Sequence, residues 1–227
     1  MASTRDNKGS PPKRRVPQQV RSRDRVQRIL EVTGDLVVSD GVDSLSTRAI
    51  ASAAGVPVAS LYQYFADKEE ILLALVERDL AEMDAQVAED LAALRELSVR
   101  AIVETTINAF VKVYHRRPSF VVIWMRGRTN AAIRDYGRAH NQRMARELFA
   151  VAKGSGMVLP ESTGRFAELA VEVADRLFQI AFEESLTADP LVVDEAVTMV
   201  TAYLEKHATD AGITGIPVPG AEPPPAG

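Results

Sequence analysis

Residues 45–70 read Leu-Ser-Thr-Arg-Ala-Ile-Ala-Ser-Ala-Ala-Gly-Val-Pro-Val-Ala-Ser-Leu-Tyr-Gln-Tyr-Phe-Ala-Asp-Lys-Glu-Glu, and the fold turns on how this stretch is punctuated. Ser46 or Thr47 supplies a hydroxyl able to cap a helix, and Gly55 supplies the left-handed residue that ends it. Pro57 suits the first turn of a second short helix. Asp67 can accept from the first amides of a further helix while Glu70 reaches back, a capping box. Two short helices about a turn at Gly55 meet the requirement of a helix-turn-helix. Ala51, Ala54, Val56 and Leu61 pack in the crossing, and the small residues Ala51 and Ala54 allow the helices to approach closely.

Outward from this stretch, apolar residues recur at three and four positions, as in Val26, Ile29, Leu30, Leu36 and Val37, or Ile71, Leu72, Leu75, Val76, Leu80, Met83 and Val87. No period-two strand pattern appears, so the expected fold is all-α with about nine helices. Asp40-Gly41 closes the first, and Pro118 separates the fifth from a short sixth. Residues 127–129 open a seventh, 154–160 form a loop before an eighth from about Ser162, and Asp189-Pro190 starts the ninth. Residues 1–22 mix Pro, Gly, Ser, Gln and basic side chains, so a disordered basic arm is expected there. The Pro-rich end suggests a second disordered tail over 212–227. The reading divides the rest into a DNA-binding domain over 23–66 and a second helical domain over 67–211.

Charge is uneven. Residues 1–30 hold nine basic and two acidic groups, a local charge of +7, so the remainder carries −11 of a total of −4. A basic end on an acidic body suits a chain that meets a polyanion with one segment. There is no cysteine, which excludes disulfide and thiolate-metal chemistry. His115, His140 and His207 are scattered without metal-ligand spacing, so neither a metal nor a cofactor is implied. No Gly-flanked serine or other nucleophile signature points to catalysis. The apolar runs are too short to span a bilayer and no signal-like stretch follows the N-terminal charges. The expectation is a soluble, cytoplasmic, non-enzymatic protein that does not engage membranes.

The run Thr47, Ile50-Ala51, Ala54-Gly55-Val56, Leu61-Tyr62, Tyr64-Phe65 and Lys68-Glu69 resembles the signature of the tetracycline-repressor (TetR) family, over roughly Val26 to Leu75. The resemblance implies a DNA-binding head of three helices, a helical ligand-binding and dimerisation domain, and a homodimer on an inverted-repeat operator in double-stranded DNA. It departs from the commonest pattern at Pro57 and Ala59, where Ser and Gly are frequent. Chemistry suggests roles. Arg48 can pair with the O6 and N7 of guanine, Ser60, Tyr62 and Gln63 can donate or accept, and Val58 can touch a thymine methyl. Thr47, Tyr64 and Lys68 suit phosphates, Lys68 beside a helix N-terminus.

In the second half the resemblance implies a cavity for an unidentified small-molecule effector. Phe110, Tyr114, Trp124, Tyr136, His140 and Phe178 are its candidate walls. Phe166, Val173, Leu177 and Ile180 of the eighth helix and Val197, Val200 and Leu204 of the ninth recur at helical spacing. Family members pair these two helices with their copies, so these residues are the candidate dimer interface. Two other readings stay open on sequence alone: a helical enzyme or lipid carrier with a merely structural head, and a non-specific nucleoid protein acting through its basic arm.

Overall fold

A computed structural model describes residues 18–126 and 130–218. Helix α1 (Gln18–Asp40) turns Ile29, Leu30, Thr33 and Val37 inward over α2 (Thr47–Ala54) and α3 (Val58–Leu61). The head thus has the expected three helices. It joins directly to α4 (Lys68–Ala92), whose 25 residues reach about 37 Å at 1.5 Å per residue. Asp67 caps α4 by accepting from the Glu70 amide at 2.8 Å, and Glu70 reaches back to the Ala66 amide.

Helix α4 packs on α5 (Val99–Arg116) and α7 (Ala131–Gly154), while α8 (Arg165–Ala181) and α9 (Pro190–Glu205) pack on each other, α8 against α7 and α9 against α5. Between α5 and α7 the chain makes a single turn, α6 (Pro118–Phe120), that continues as a π-helical turn, Val121–Arg126. This short segment packs on α1, α4 and α8 at once. Against α1 the fit is close: a Cβ added to Gly34 would lie 3.2 Å from Ser119 Oγ. A chain of ion pairs fastens α4 to the C-terminal end of α5. Arg117 bonds Glu82 at 2.6 Å, Arg116 bonds Glu82 at 3.1 Å and Lys112 bonds Asp90 at 2.9 Å. Asp79, fully buried beside it, is bonded by Arg78 at 2.7 Å, yet burial holds its carboxyl above the ordinary range.

Several expectations are corrected at the ends of elements. The basic arm cannot extend to residue 22, because α1 begins at Gln18; residues 1–17 lie outside the described residues, as do 127–129, expected to open α7. Pro57 precedes α3 as its cap residue rather than sitting in its first turn. Helix α8 starts at Arg165, three residues later than expected, because Ser162 is held in a turn by its amide to Leu159 O and its hydroxyl to His207 O. The proposed tail from residue 212 is ordered as far as 218. Thr209 caps a tenth helix, α10 (Asp210–Thr214), by accepting from the Gly212 amide at 3.1 Å. Past it, β2 (Ile216–Pro217) pairs antiparallel with β1 (Glu96–Leu97), a two-residue ladder the periodicity did not announce. Residues 219–227 lie outside the described part.

Candidate nucleic-acid interface and cavity

The helix-turn-helix is built by local chemistry. Ser46 Oγ accepts from the Ala49 amide at 3.2 Å, which settles the capping residue. Gly55, at φ 68°, ends α2 in the left-handed region, and Val56 N returns to Ala51 O at 3.0 Å. Ile50, Ala51, Ala54 and Leu61 are buried in the crossing, and Phe65 closes it. From α1, Arg28 Nε donates to Ala54 O at 2.8 Å, satisfying a carbonyl at the end of α2.

With these side chains inside, the opposite face carries the polar set. Arg48 and Gln63 are exposed, Tyr62 is 52% exposed and Val58 37%. Tyr62 and Val58 are large apolar-bodied groups left in water beside a guanidinium and an amide, a composition suited to base edges and methyl groups. Tyr62 and Thr47 hydrogen-bond through their hydroxyls at 3.1 Å, so α3 and α2 are tied on the outer face. Ser60 is half-buried. Tyr64 is half-buried between head elements. A hydrogen bond from Ser22 and the charge of Arg25 hold its hydroxyl below the ordinary range against a smaller effect of burial. Lys68 Nζ donates to Leu45 O at 3.4 Å, so its ammonium sits beside the start of α2. The eight sequence candidates for DNA contact therefore fall on one small unit, seven of them on α3, the turn after it or the start of α2.

In the body, α4, α5, α7, α8 and α9 surround a narrow cavity of about 120 Å³. Phe110, Tyr114, Trp124, His140 and Phe178 line it, four of them as a ring cluster: Tyr114 lies edge-on to Phe178 at 5.3 Å and 6.1 Å from Phe110, and Phe120 stacks on Trp124 at 5.9 Å. Tyr136 does not line it, which corrects the expectation. It sits at the edge of the inward stripe of α7, partly exposed, and burial together with the charge of Glu77 raises its hydroxyl.

Sequence reasoning missed three polar lining residues, Thr106, Asn141 and Asp175. Thr106 and Asp175 each stand one helical turn from a recognised aromatic, Thr106 before Phe110 and Asp175 before Phe178, and that spacing is the signal that could have found them. Asp175 accepts from Trp124 Nε1 at 3.0 Å and from Gln179 at 2.9 Å, while burial lifts its carboxyl above the ordinary range. His140, only 2% exposed, shares a 2.7 Å hydrogen bond through Nε2 with Asp84 of α4, which Arg143 also holds at 3.0 Å. Although burial opposes it, these partners hold the Asp84 carboxyl below its ordinary range.

The candidate dimer residues divide. Phe166 and Val200 are buried and line the cavity, so the expectation that they face a second copy is corrected; Leu204 also lines it but is half-buried. Phe166 shares a face of α8 with Val173, seven residues on, and is buried by Phe149 and His207, neighbours that a helical period does not reveal. Leu177 and Val197 are half-buried. Val173 and Ile180 are outward, 46% and 40% exposed, and with Leu169 on α8 and Met199 on α9 they form an uncovered apolar strip.

Residues 29–75 match the family described as "Bacterial regulatory proteins, tetR family", and residues 97–208 match "Tetracyclin repressor-like, C-terminal domain". Among solved structures, the chain is 30% identical to a TetR-family transcriptional regulator from Streptomyces coelicolor, over 81% of this chain and 99% of that one, with a TM-score of 0.65. The structure of SmeT, the repressor of the Stenotrophomonas maltophilia multidrug efflux pump SmeDEF, is similar in fold, with 18% identity, coverage of 89% and 97%, and a TM-score of 0.66. A curated relative, the HTH-type transcriptional repressor KstR of Mycobacterium tuberculosis, is 34% identical over 64 residues. That match takes in 28% of this chain and spans 29% of the length of the relative.

Proposed function

Because the chain belongs to the TetR family of bacterial regulatory proteins, we propose that it is a homodimeric repressor that reads an inverted-repeat operator and leaves it on binding a small, largely apolar molecule. Regulation rather than catalysis is the activity of this family, and a DNA-binding role suits a cytoplasmic protein. The observation that carries the reading is the division of the head: Ile50, Ala51, Ala54 and Leu61 are spent on packing, while Arg48, Val58, Tyr62 and Gln63 remain outside. Arg48 and Gln63 read base edges, Val58 meets a methyl group, and Thr47, Tyr64 and Lys68 position the head on phosphates. The α8–α9 strip of Leu169, Val173, Ile180 and Met199 supports pairing with a second copy, which places two heads on successive faces of the major groove.

Release is supported by the segment from Pro118 to Arg126. Phe120 and Trp124 line the cavity, and Ser119 of the same segment abuts Gly34 of α1. An apolar cavity of about 150 Å³ takes benzene, so an occupant much larger than that parts the helices around this smaller space and shifts α1 and the head with them. Footprinting of genomic fragments with the purified chain tests the reading. Two protected half-sites on a discrete set of promoter fragments support it, and even protection of all fragments contradicts it in favour of a nucleoid protein.

A further inference from the structure

The cavity is not uniform along its length. Its walls run from Val99 to Tyr114 on α5 and from Phe166 to Phe178 on α8, which at 1.5 Å per residue is about 18–22 Å. Spread over that length, about 120 Å³ is a slot, with room for one chain of atoms abreast. The end formed by the start of α5 and the start of α8 is apolar, with Val99, Phe149, Met157, Val158 and Phe166. Its polar groups gather toward the other end, where Trp124 bonds Asp175 and lies over Gly137, one turn from His140.

His140 carries the unexplained atom. In the neutral ring, Nε2–H donates to Asp84 at 2.7 Å, which leaves Nδ1 as an acceptor. That nitrogen is fully buried and has no hydrogen-bond partner, on a residue that lines the slot; Thr106 Oγ1, also lining it, is likewise unpartnered. Buried polar atoms are paired in nearly all cases, so the orphan nitrogen of His140 in an apolar slot marks where an occupant's polar group belongs. Among the described residues no Lys or Arg lines the slot, and the one lining carboxyl, Asp175, would repel a second carboxylate.

Resting on the reading that this cavity holds the effector, we infer that the effector is an uncharged, unbranched alkyl amphiphile whose single hydroxyl donates to Nδ1 of His140 and whose chain fills the slot toward Phe166. A carboxylate head has no cation to meet and cannot donate to Nδ1 when ionised.

Trp124 is the chain's single tryptophan and lines the slot, so its fluorescence reports filling. The experiment titrates the full chain with 1-octanol, methyl octyl ether and octanoate. The alcohol is expected to bind about tenfold tighter than the ether, the factor set by one buried hydrogen bond, and tighter still than octanoate. In His140→Phe the alcohol and ether affinities converge while the ether's changes little. Equal affinity for alcohol and ether in the wild type, tighter octanoate, or no response to any of the three overturns the inference, and the wild-type comparison decides even if His140→Phe does not fold. Operator binding is measured on the same samples. Selective alcohol binding with unchanged operator affinity leaves the ligand class standing and removes the release mechanism.

Discussion

Arg48 is the proposed base-reading residue: exposed, at the start of α2, with a guanidinium that can pair bidentately with guanine. Arg48→Ala is expected to cost about 1–3 kcal/mol on the operator and to relax preference at one base in each half-site. Fluorescence anisotropy against operator variants checks this, and an equal loss on every sequence would move Arg48 to the phosphate backbone. Gly137 is a second single-residue determinant, since a Cβ there would fall 1.5 Å from Trp124 Cη2. Gly137→Ala must push the indole off α7 and strain its bond to Asp175. A loss of about 1–3 kcal/mol, as for overpacking elsewhere, with a shifted Trp124 emission maximum is the expected result by denaturation and fluorescence. Asp175 adds a pH dependence. Burial raises its carboxyl in the folded chain, so the fold binds that proton more readily than the unfolded chain does. Its contribution to stability is therefore complete below the ordinary value of about 4 and is lost as pH climbs through the raised folded value. Asp175→Asn removes that slope. Urea unfolding from pH 4 to 8 at fixed protein concentration should show wild type losing stability relative to the variant as pH rises, and parallel curves would refute the assignment.

Among the elements, the outer and inner sides of the α8–α9 pair ask for different substitutions. Val173→Glu and Ile180→Glu place charges on the uncovered strip, and the expected outcome is a folded monomer by sedimentation and circular dichroism. Val200→Glu, by contrast, puts a carboxylate into the cavity wall of α9 and should unfold the body rather than merely split the dimer. A dimer that survives both outer substitutions would place the interface elsewhere. The head was legible from sequence because caps and turns are local: Ser46, Gly55 and Asp67 act within four residues of themselves. The helices of the body were legible from their period, but not which face of each looks inward. Even on one face burial differs: Phe166 and Val173 are seven residues apart on the same side of α8, and Phe149 and His207 cover only the first. Tyr136 was misplaced for the same reason. The end of the chain was obscured by composition, because the Pro-rich terminus overshadowed Thr209, whose cap starts α10, and Gly212, which lies against the Met157 backbone where a Cβ would come 2.2 Å from Met157 O.

At the scale of the molecule, cavity and DNA face are joined by two routes, the long α4 and the α6 to π-turn segment that touches both α1 and the cavity. A ligand shifts such an equilibrium only through its differential affinity for the DNA-bound and free arrangements. Couplings of about 1–3 kcal/mol are typical, so operator binding should weaken roughly 5- to 150-fold when the cavity is filled, and operator should weaken ligand binding by the same factor. Trp124→Leu should change that factor while leaving unliganded operator affinity nearly constant. Selection of duplexes from a randomised pool by the chain is decisive. An inverted repeat is expected to be enriched, its half-site centres about 34–36 Å or a multiple of it apart, as two heads of one dimer require. A pool that stays random, or that converges on a single unrepeated motif, would contradict it.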